Sequence, residues 1–315
     1  MKLDIKLCKL TEKPICFLLV MLFFSSSLIS GELTKTVQSD AVERDSVKVA
    51  LSAAFVSEAG IGVYEELVNY ISVKLDRKVD LISGFSYTTI NNMFDSGMID
   101  FAFVCGLPLI LNQQNSDSKM ELLLAPVMKN SKYNDKPVYY SYVIVNKKSK
   151  YKTFSDLKGS RLVFNDEISN SGYNMLRSHL IDLGEMSGYF SDVVRSGSHE
   201  ESIRMVALGE ADVSAVDSLV YDFEIEKNNV YVKKLNVIET LGPAGIPPVV
   251  VSSVIDLNVR EEMIKVLLEM KEDPVGKAIL DKALVDRFIL VDNKNYDSIR
   301  DMYNKAKMSG YLRIK

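Results

Sequence analysis

Tryptophan is absent from this 315-residue chain, and histidine occurs only as His179 and His199. Two separated histidines and three cysteines, Cys8, Cys16 and Cys105, make no His/Cys cluster of metal-ligand spacing. No nucleophile elbow or phosphate-binding P-loop is present. Gly60-Ile61-Gly62 has Glu65 where a dinucleotide fingerprint needs glycine, so it reads as a plain strand-to-helix turn. These absences imply no metal, no cofactor and no enzyme activity. An excess of basic charge is missing as well. The 38 Lys and Arg face 42 Asp and Glu, a net charge of −4, which argues against a general nucleic-acid binder. A small anion held by a few local donors stays compatible with that balance.

Long apolar runs are scarce too. The one at the N-terminus, Ile15 to Phe24, follows Lys2, Lys6, Lys9 and Lys13 and precedes the small and polar residues Ser25 to Gly31. That order predicts a cleaved secretory signal over residues 1–31, since a membrane span needs about 20 apolar residues. An uncleaved anchor is the alternative. No cysteine follows the run, which argues against a lipoprotein. Cleavage near Ser30 or Gly31 removes four lysines, Asp4 and Glu12, and leaves 34 basic against 40 acidic side chains, a net −6. It also leaves Cys105 as the only cysteine, so no internal disulfide can form and the fold rests on its core. About 285 residues suffice to bury most of the chain's apolar surface. The expected product is a soluble, periplasmic monomer.

Past a polar leader at 32–45, strands and helices alternate. Val47–Leu51, Val79–Ile82 and Phe101–Val104 read as strands, with helices over Val63–Leu75 and Thr88–Phe94. A second set has strands at Tyr139–Val145, Arg161–Phe164, Asp192–Arg195 and Val213–Val216. Its helices start at Phe154 and run over Tyr173–Leu183 and Ser202–Leu208. The stretch Gly242-Pro243-Ala244-Gly245-Ile246-Pro247-Pro248 breaks the pattern and reads as a crossing back between lobes. After it come a strand, Val249–Ser253, and helices near Arg260–Met270, Val275–Val285 and Tyr296–Lys307. The fold class is α/β with two lobes, each a mostly parallel sheet flanked by helices. Lobe one is 46–137 plus 248–315 and lobe two 138–247, with hinge crossings near 138 and 242–248.

One segment carries chemistry: Asp166-Glu167-Ile168-Ser169-Asn170-Ser171-Gly172-Tyr173. It joins a strand to a helix. Ser169, Asn170 and Ser171 offer side-chain donors, Gly172 lets backbone approach a ligand, and the helix start adds free N–H groups. Taken alone, the segment reads first as a simple N-cap by Ser169 or Ser171. Cys105, at a strand end with no base partner in view, reads as a buried, inert thiol.

The segment resembles the Ser-Thr-Ser-Gly motif of the phosphonate-binding family of ABC-importer solute-binding proteins, with Asn170 in place of Thr. Tyr139 to Ser149 resembles that family's strand into the second lobe, Phe154-Ser155-Asp156-Leu157-Lys158-Gly159 its DLKG helix start, and Gly197-Ser198-His199-Glu200 its SH turn. Tyr87, ahead of Asp100, falls where the family has a pocket tyrosine. The order and spacing hold over roughly residues 46–290. The resemblance implies a type II periplasmic-binding fold and a phosphorus oxyanion, a phosphonate, phosphite or phosphate, held between the lobes. It implies Ser169, Asn170 and Ser171 at the oxyanion, phenol donors from Tyr87 and Tyr139, and an imidazole donor from His199. His199 also suits the first turn of a helix boxed by Ser198 and Glu201. Asp217 either accepts a proton from the ligand or caps the following helix. Where amine-binding members carry acids, this chain appears with Leu219 and Val249, which favours a ligand without an amine. The implied partner is a membrane permease. The other readings are a protein presenting the ligand to a sensor kinase and an exported enzyme for phosphorus esters.

Overall fold

The computed structural model describes residues 46–52 and 58–315. The predicted signal and leader, residues 1–45, lie outside the described residues. The chain runs β1 (Val47–Ser52), α1 (Glu58–Leu75), β2 (Val79–Phe85), α2 (Tyr87–Asp95), β3 (Phe101–Phe103), α3 (Gly106–Asn112) and β4 (Met120–Met128). It continues through β5 (Val138–Asn146), β6 (Arg161–Phe164), α4 (Met175–Asp182), β7 (Asp192–Arg195), α5 (His199–Leu208), β8 (Val213–Asp217), α6 (Ser218–Glu226) and β9 (Leu235–Gly245). It ends with β10 (Val249–Ser252), α7 (Leu257–Glu269), α8 (Pro274–Lys282), β11 (Val285–Leu290) and α9 (Asp297–Ser309).

The strands form two sheets, ordered β11-β4-β10-β3-β1-β2 and β7-β6-β8-β5-β9. β1 and β10 are buried almost throughout, as apolar runs flanked on both faces by helices must be. Helix α2 turns Tyr87, Ile90 and Phe94 inward on one stripe, and Ser86 caps it by accepting from Thr89 N–H. Helix α8 starts on Asp273-Pro274, a capping acid followed by a residue whose missing N–H costs nothing there. Among the described residues, no helix is long and apolar enough to cross a membrane.

Both sheets are mixed, where strand–helix alternation predicted mostly parallel ones. β1 pairs in parallel with β2 and β3, but β10 runs antiparallel to β3 and β4, and β11 antiparallel to β4. In the second sheet β6 is parallel to β7 and β8, while β5 opposes β8 and β9. The cause is the crossing. A strand arriving from the other lobe starts at the cleft, so it runs against neighbours that end there. Val138 pairs with Gly245, and Ile246 N–H donates to Pro137 O at 3.0 Å, so the two crossing segments lie side by side.

Three strands went unseen in sequence. β4 carries Leu and Met in place of β-branched residues, and its Pro126 lies where pairing to β10 has stopped. β9 ends in Gly242-Pro243, which reads as a turn. β11 has only its first residue, Val285, inside the expected helix Val275–Val285, and the rest of it falls in no expected element. The helix expected from Phe154 is a single 3₁₀ turn, Phe154–Leu157, boxed by Thr153 and Asp156. The chain end, grouped in sequence with lobe one, touches both: α9 packs on α3 and also on α4 and β9. Ile314 N–H donates to Tyr173 Oη at 2.8 Å, and Arg177 Nη1 donates to Leu312 O at 2.8 Å.

Candidate functional site

The predicted site residues converge where strands of both sheets end. β6 leads through Asn165 and Asp166 to a π-helical turn at Asn170–Asn174, which opens α4. Ser169 Oγ accepts from Gly172 N–H at 3.1 Å, so it does cap this turn. Its own hydroxyl proton is left for a second acceptor. Ser171 Oγ donates to Asp217 Oδ2 at 3.2 Å, while Ser171 O accepts from Ser141 Oγ at 2.6 Å. Ser169, Asn170 and Ser171 are fully buried.

Asn170 ties the turn to both lobes. Its N–H donates to Cys105 Sγ at 3.4 Å, and its Nδ2 donates to Tyr139 Oη at 3.0 Å. Its Oδ1 accepts from Asn174 Nδ2 at 3.0 Å, and Asn174 Oδ1 accepts from Arg177 Nη2 at 2.7 Å. An arginine buried without a carboxylate thus polarises a chain of amides that ends at the turn. Tyr139 Oη also lies 3.9 Å from Cys105 Sγ. The thiol is inert as expected, with burial pushing its pKa up, but it lies against the site.

Tyr87 enters from the other lobe as the first residue of α2. It is 1% exposed, and among the described residues its hydroxyl makes no well-aligned hydrogen bond, with the Ser169 side chain close by. Burial raises the pKa of both Tyr87 and Tyr139 well above the ordinary phenol value, and Cys105 and Asp217 add to that. Both stay neutral donors.

Asp217 ends β8 and takes the capping role, one of the two the sequence left open. Its Oδ1 accepts from Leu219 N–H at 2.8 Å and caps α6, while Oδ2 faces Ser171. Burial pushes its pKa up to about 7, against the pull of Leu219 N–H and Ser171.

His199 lies in the first turn of α5, which Ser198 caps by accepting from Glu201 N–H at 3.0 Å. The Glu201 carboxylate pairs with Arg204 and leaves the box unclosed. Asp217 N–H donates to His199 Nδ1 at 3.3 Å, so the neutral ring carries its proton on Nε2. Nε2 lies 3.1 Å from the Asn165 amide and donates to it, which sets the amide oxygen toward the ring. The predicted ligand donor is therefore engaged by Asn165 here. Burial lowers the ring's pKa to about 3. Gly172 has a different task from the expected one. A Cβ there would fall 1.8 Å from the Asn165 side-chain amide and 3.0 Å from His199 Cε1, so the glycine admits these side chains.

Two contributors had no sequence signal. Asn165 follows a strand and looks like any loop polar residue. Tyr64, inside α1, has its phenol pKa raised by burial and then by the charge of Asp217. Among the described residues, no His, Cys, Asp and Glu group of metal-binding size occurs. Chemically, the site is a buried set of neutral hydroxyl and amide donors around one carboxyl of raised pKa. It suits a small oxyanion.

A profile for the family described as ABC transporter, phosphonate, periplasmic substrate-binding protein matches residues 54–296. The binding protein component of an ABC phosphonate transporter from Pseudomonas aeruginosa superposes with a TM-score of 0.76 at 16% identity, covering 87% of this chain and 90% of that one. PhnD1 from Prochlorococcus marinus, solved in complex with methylphosphonate, gives 0.73 at 21% identity, covering 84% and 98%. An ancestral arginine-binding protein bound to arginine gives 0.53 at 19% identity, covering 76% and 98%. The fold is the two-lobed α/β type II periplasmic-binding fold.

Proposed function

We propose, because this chain belongs to the periplasmic substrate-binding proteins of phosphonate ABC transporters, that it closes its lobes on a small phosphorus oxyanion and delivers it to a membrane permease. Membership implies a periplasmic location, and the predicted signal at 1–31 is the proposed route there. The lobes are 46–137 plus 248–315 and 138–247, hinged near 138 and 242–248.

The observation that carries the reading is the Tyr87 hydroxyl. An unpartnered buried donor costs about 1–3 kcal/mol, so it needs a reason. An oxyanion between Tyr87 and the Ser169–Ser171 turn supplies one. Tyr87 donates from the first lobe, and Tyr139 and Ser169 donate from the second, joined by Ser171 when its hydroxyl turns from Asp217 to the ligand, so the ligand itself holds the lobes together. Hydrogen bonds to a charged group contribute about 1.5–3 kcal/mol each. Four donors therefore contribute about 6–12 kcal/mol, a range that contains the roughly 8 kcal/mol that micromolar binding requires. Donors of this kind need no net positive charge. His199 and Asn165 brace Asp217 and the turn, and His199 joins the ligand only by exchanging its bond to Asn165.

Asp217, with a pKa near 7, shares one proton with the oxyanion. Below that pH it donates to the ligand; above it, a protonated ligand oxygen donates to it. Calorimetry with phosphate, phosphite and methylphosphonate is the test, on wild type and on Ser169→Ala/Ser171→Ala. The expected outcome is binding by wild type and none by the double variant, which stays folded. Equal affinity in both would reduce the segment to a helix cap and end the oxyanion reading.

A further inference from the structure

An apolar cavity of about 110 Å³ is lined in part by Leu219 and Val220, the second and third residues after Asp217. Its walls include Tyr64, Phe103, Met270 and Phe288 from the first lobe and Leu219 and Phe223 from α6 of the second. Three features relate it to the site. Leu219 N–H donates to Asp217 Oδ1 at 2.8 Å. Burial, and then the charge of Asp217, raises the pKa of Tyr64 in the cavity wall. Phe103 ends β3 two residues before Cys105, whose sulfur accepts from Asn170 N–H.

None of the described residues lining the cavity is charged, and the open surface inside is mostly carbon. Met270, Phe103 and Phe288 belong to the packed core of the first lobe, so the cavity opens that core toward the site. Close-packed interiors rarely leave such a space, because its lining forfeits contacts. A ligand that fills it restores them. Because both lobes contribute walls, the cavity is complete only when they close, and filling it favours closure.

We propose that the ligand of this protein is a phosphorus oxyanion carrying an uncharged apolar chain of about four carbons, seated in this cavity. The inference rests on the oxyanion reading above and names the rest of the ligand. Size follows from volume: an apolar cavity of ~150 Å³ takes a benzene ring, so about 110 Å³ takes about four carbons. Charge follows from the lining: an ammonium or carboxylate on the chain would be buried without a partner.

The test is calorimetry with inorganic phosphate and with methyl-, ethyl-, propyl-, butyl- and octylphosphonate. Propyl phosphate, equal in length to butylphosphonate, sorts an ester from a carbon–phosphorus ligand, and a gain in either arm sustains the proposal. Each methylene up to butyl should tighten binding about fourfold, the equivalent of ~0.8 kcal/mol per buried CH₂. Butyl should therefore exceed methyl by about fiftyfold, and octyl should fall back. Ala283→Leu, which fills the far wall, should bring butyl down toward methyl, and Leu280→Phe does the same should the first variant fail to fold. Methylphosphonate binding with a flat or falling series overturns this inference alone. No binding by any member, phosphate included, overturns the oxyanion reading and this inference with it.

Discussion

Asp217 and His199 touch through the Asp217 N–H, and burial moves their pKa values in opposite senses. Ligand-free stability should therefore carry a hidden pH dependence. Asp217 stands near 7 in the fold against an ordinary 3.8. It keeps its proton where the unfolded chain loses one. Its contribution is complete below about 3.8 and disappears as pH rises to about 7. His199 stands near 3 against an ordinary 6.5. It stays neutral where the unfolded chain binds a proton. Its contribution is complete above about 6.5 and disappears as pH falls toward 3. Each slope is about 1.4 kcal/mol per pH unit, so between about pH 4 and 6.5 the two cancel. Asp217→Asn removes one side of the balance. Its amide oxygen can still cap α6 through Leu219 N–H, and Ser171 can accept in place of donating. The stability of wild type minus that of Asp217→Asn should fall by about 3 kcal/mol from pH 4 to pH 7, and groups that do not interact with Asp217 drop out of that difference. Urea unfolding at four pH values measures it. A difference independent of pH would refute the buried-carboxyl account, and His199→Gln should give the opposite slope.

Four further outcomes are expected. Gly172→Ala should destabilise by more than about 3 kcal/mol in thermal unfolding, because its Cβ would displace the Asn165 amide 1.8 Å away. Cys105→Ser should keep the fold with a loss of about 1–2 kcal/mol, since no disulfide is removed and a hydroxyl can still accept from Asn170 N–H. Aminoethylphosphonate should bind more weakly than propylphosphonate by at least tenfold in calorimetry, as Leu219 offers its ammonium no counter-charge. Arg177→Met should cost stability by freeing Asn174, and it should weaken oxyanion binding while Arg177→Lys partly restores it.

The sequence is legible where a local rule acts. β1, β3, β6 and β8 are short apolar runs, and the alternation of strands with helices announces two α/β lobes. The donor turn at 169–172 shows itself by composition, and Ser198 and Asp217 mark helix starts. The hidden part depends on contacts between distant residues. No local pattern tells that Cys105 meets Asn170 across 65 positions, or that His199 is held by Asn165 across 34. Strand direction is equally non-local: β5 and β10 are antiparallel to their neighbours because of where the chain arrives. β4 and β9 carry Pro126 and Gly242-Pro243, the residues that argue against a strand. Tyr64 looks like one more aromatic on the inner face of α1, and only the fold brings it under the charge of Asp217.

The central claim is that Tyr87 and the Ser169–Ser171 turn share an oxyanion, and Tyr87→Phe tests it with two readings on one protein. The change removes a single buried hydroxyl that, among the described residues, makes no well-aligned hydrogen bond without ligand. Ligand-free Tyr87→Phe should be as stable as wild type or more so, by up to about 1–3 kcal/mol, since an unsatisfied group is gone. Its affinity for phosphate or a phosphonate should drop by about tenfold to a hundredfold, the loss of one hydrogen bond to a charged group. A lowered thermal midpoint with unchanged affinity would mean that the hydroxyl serves the fold, and would contradict the account.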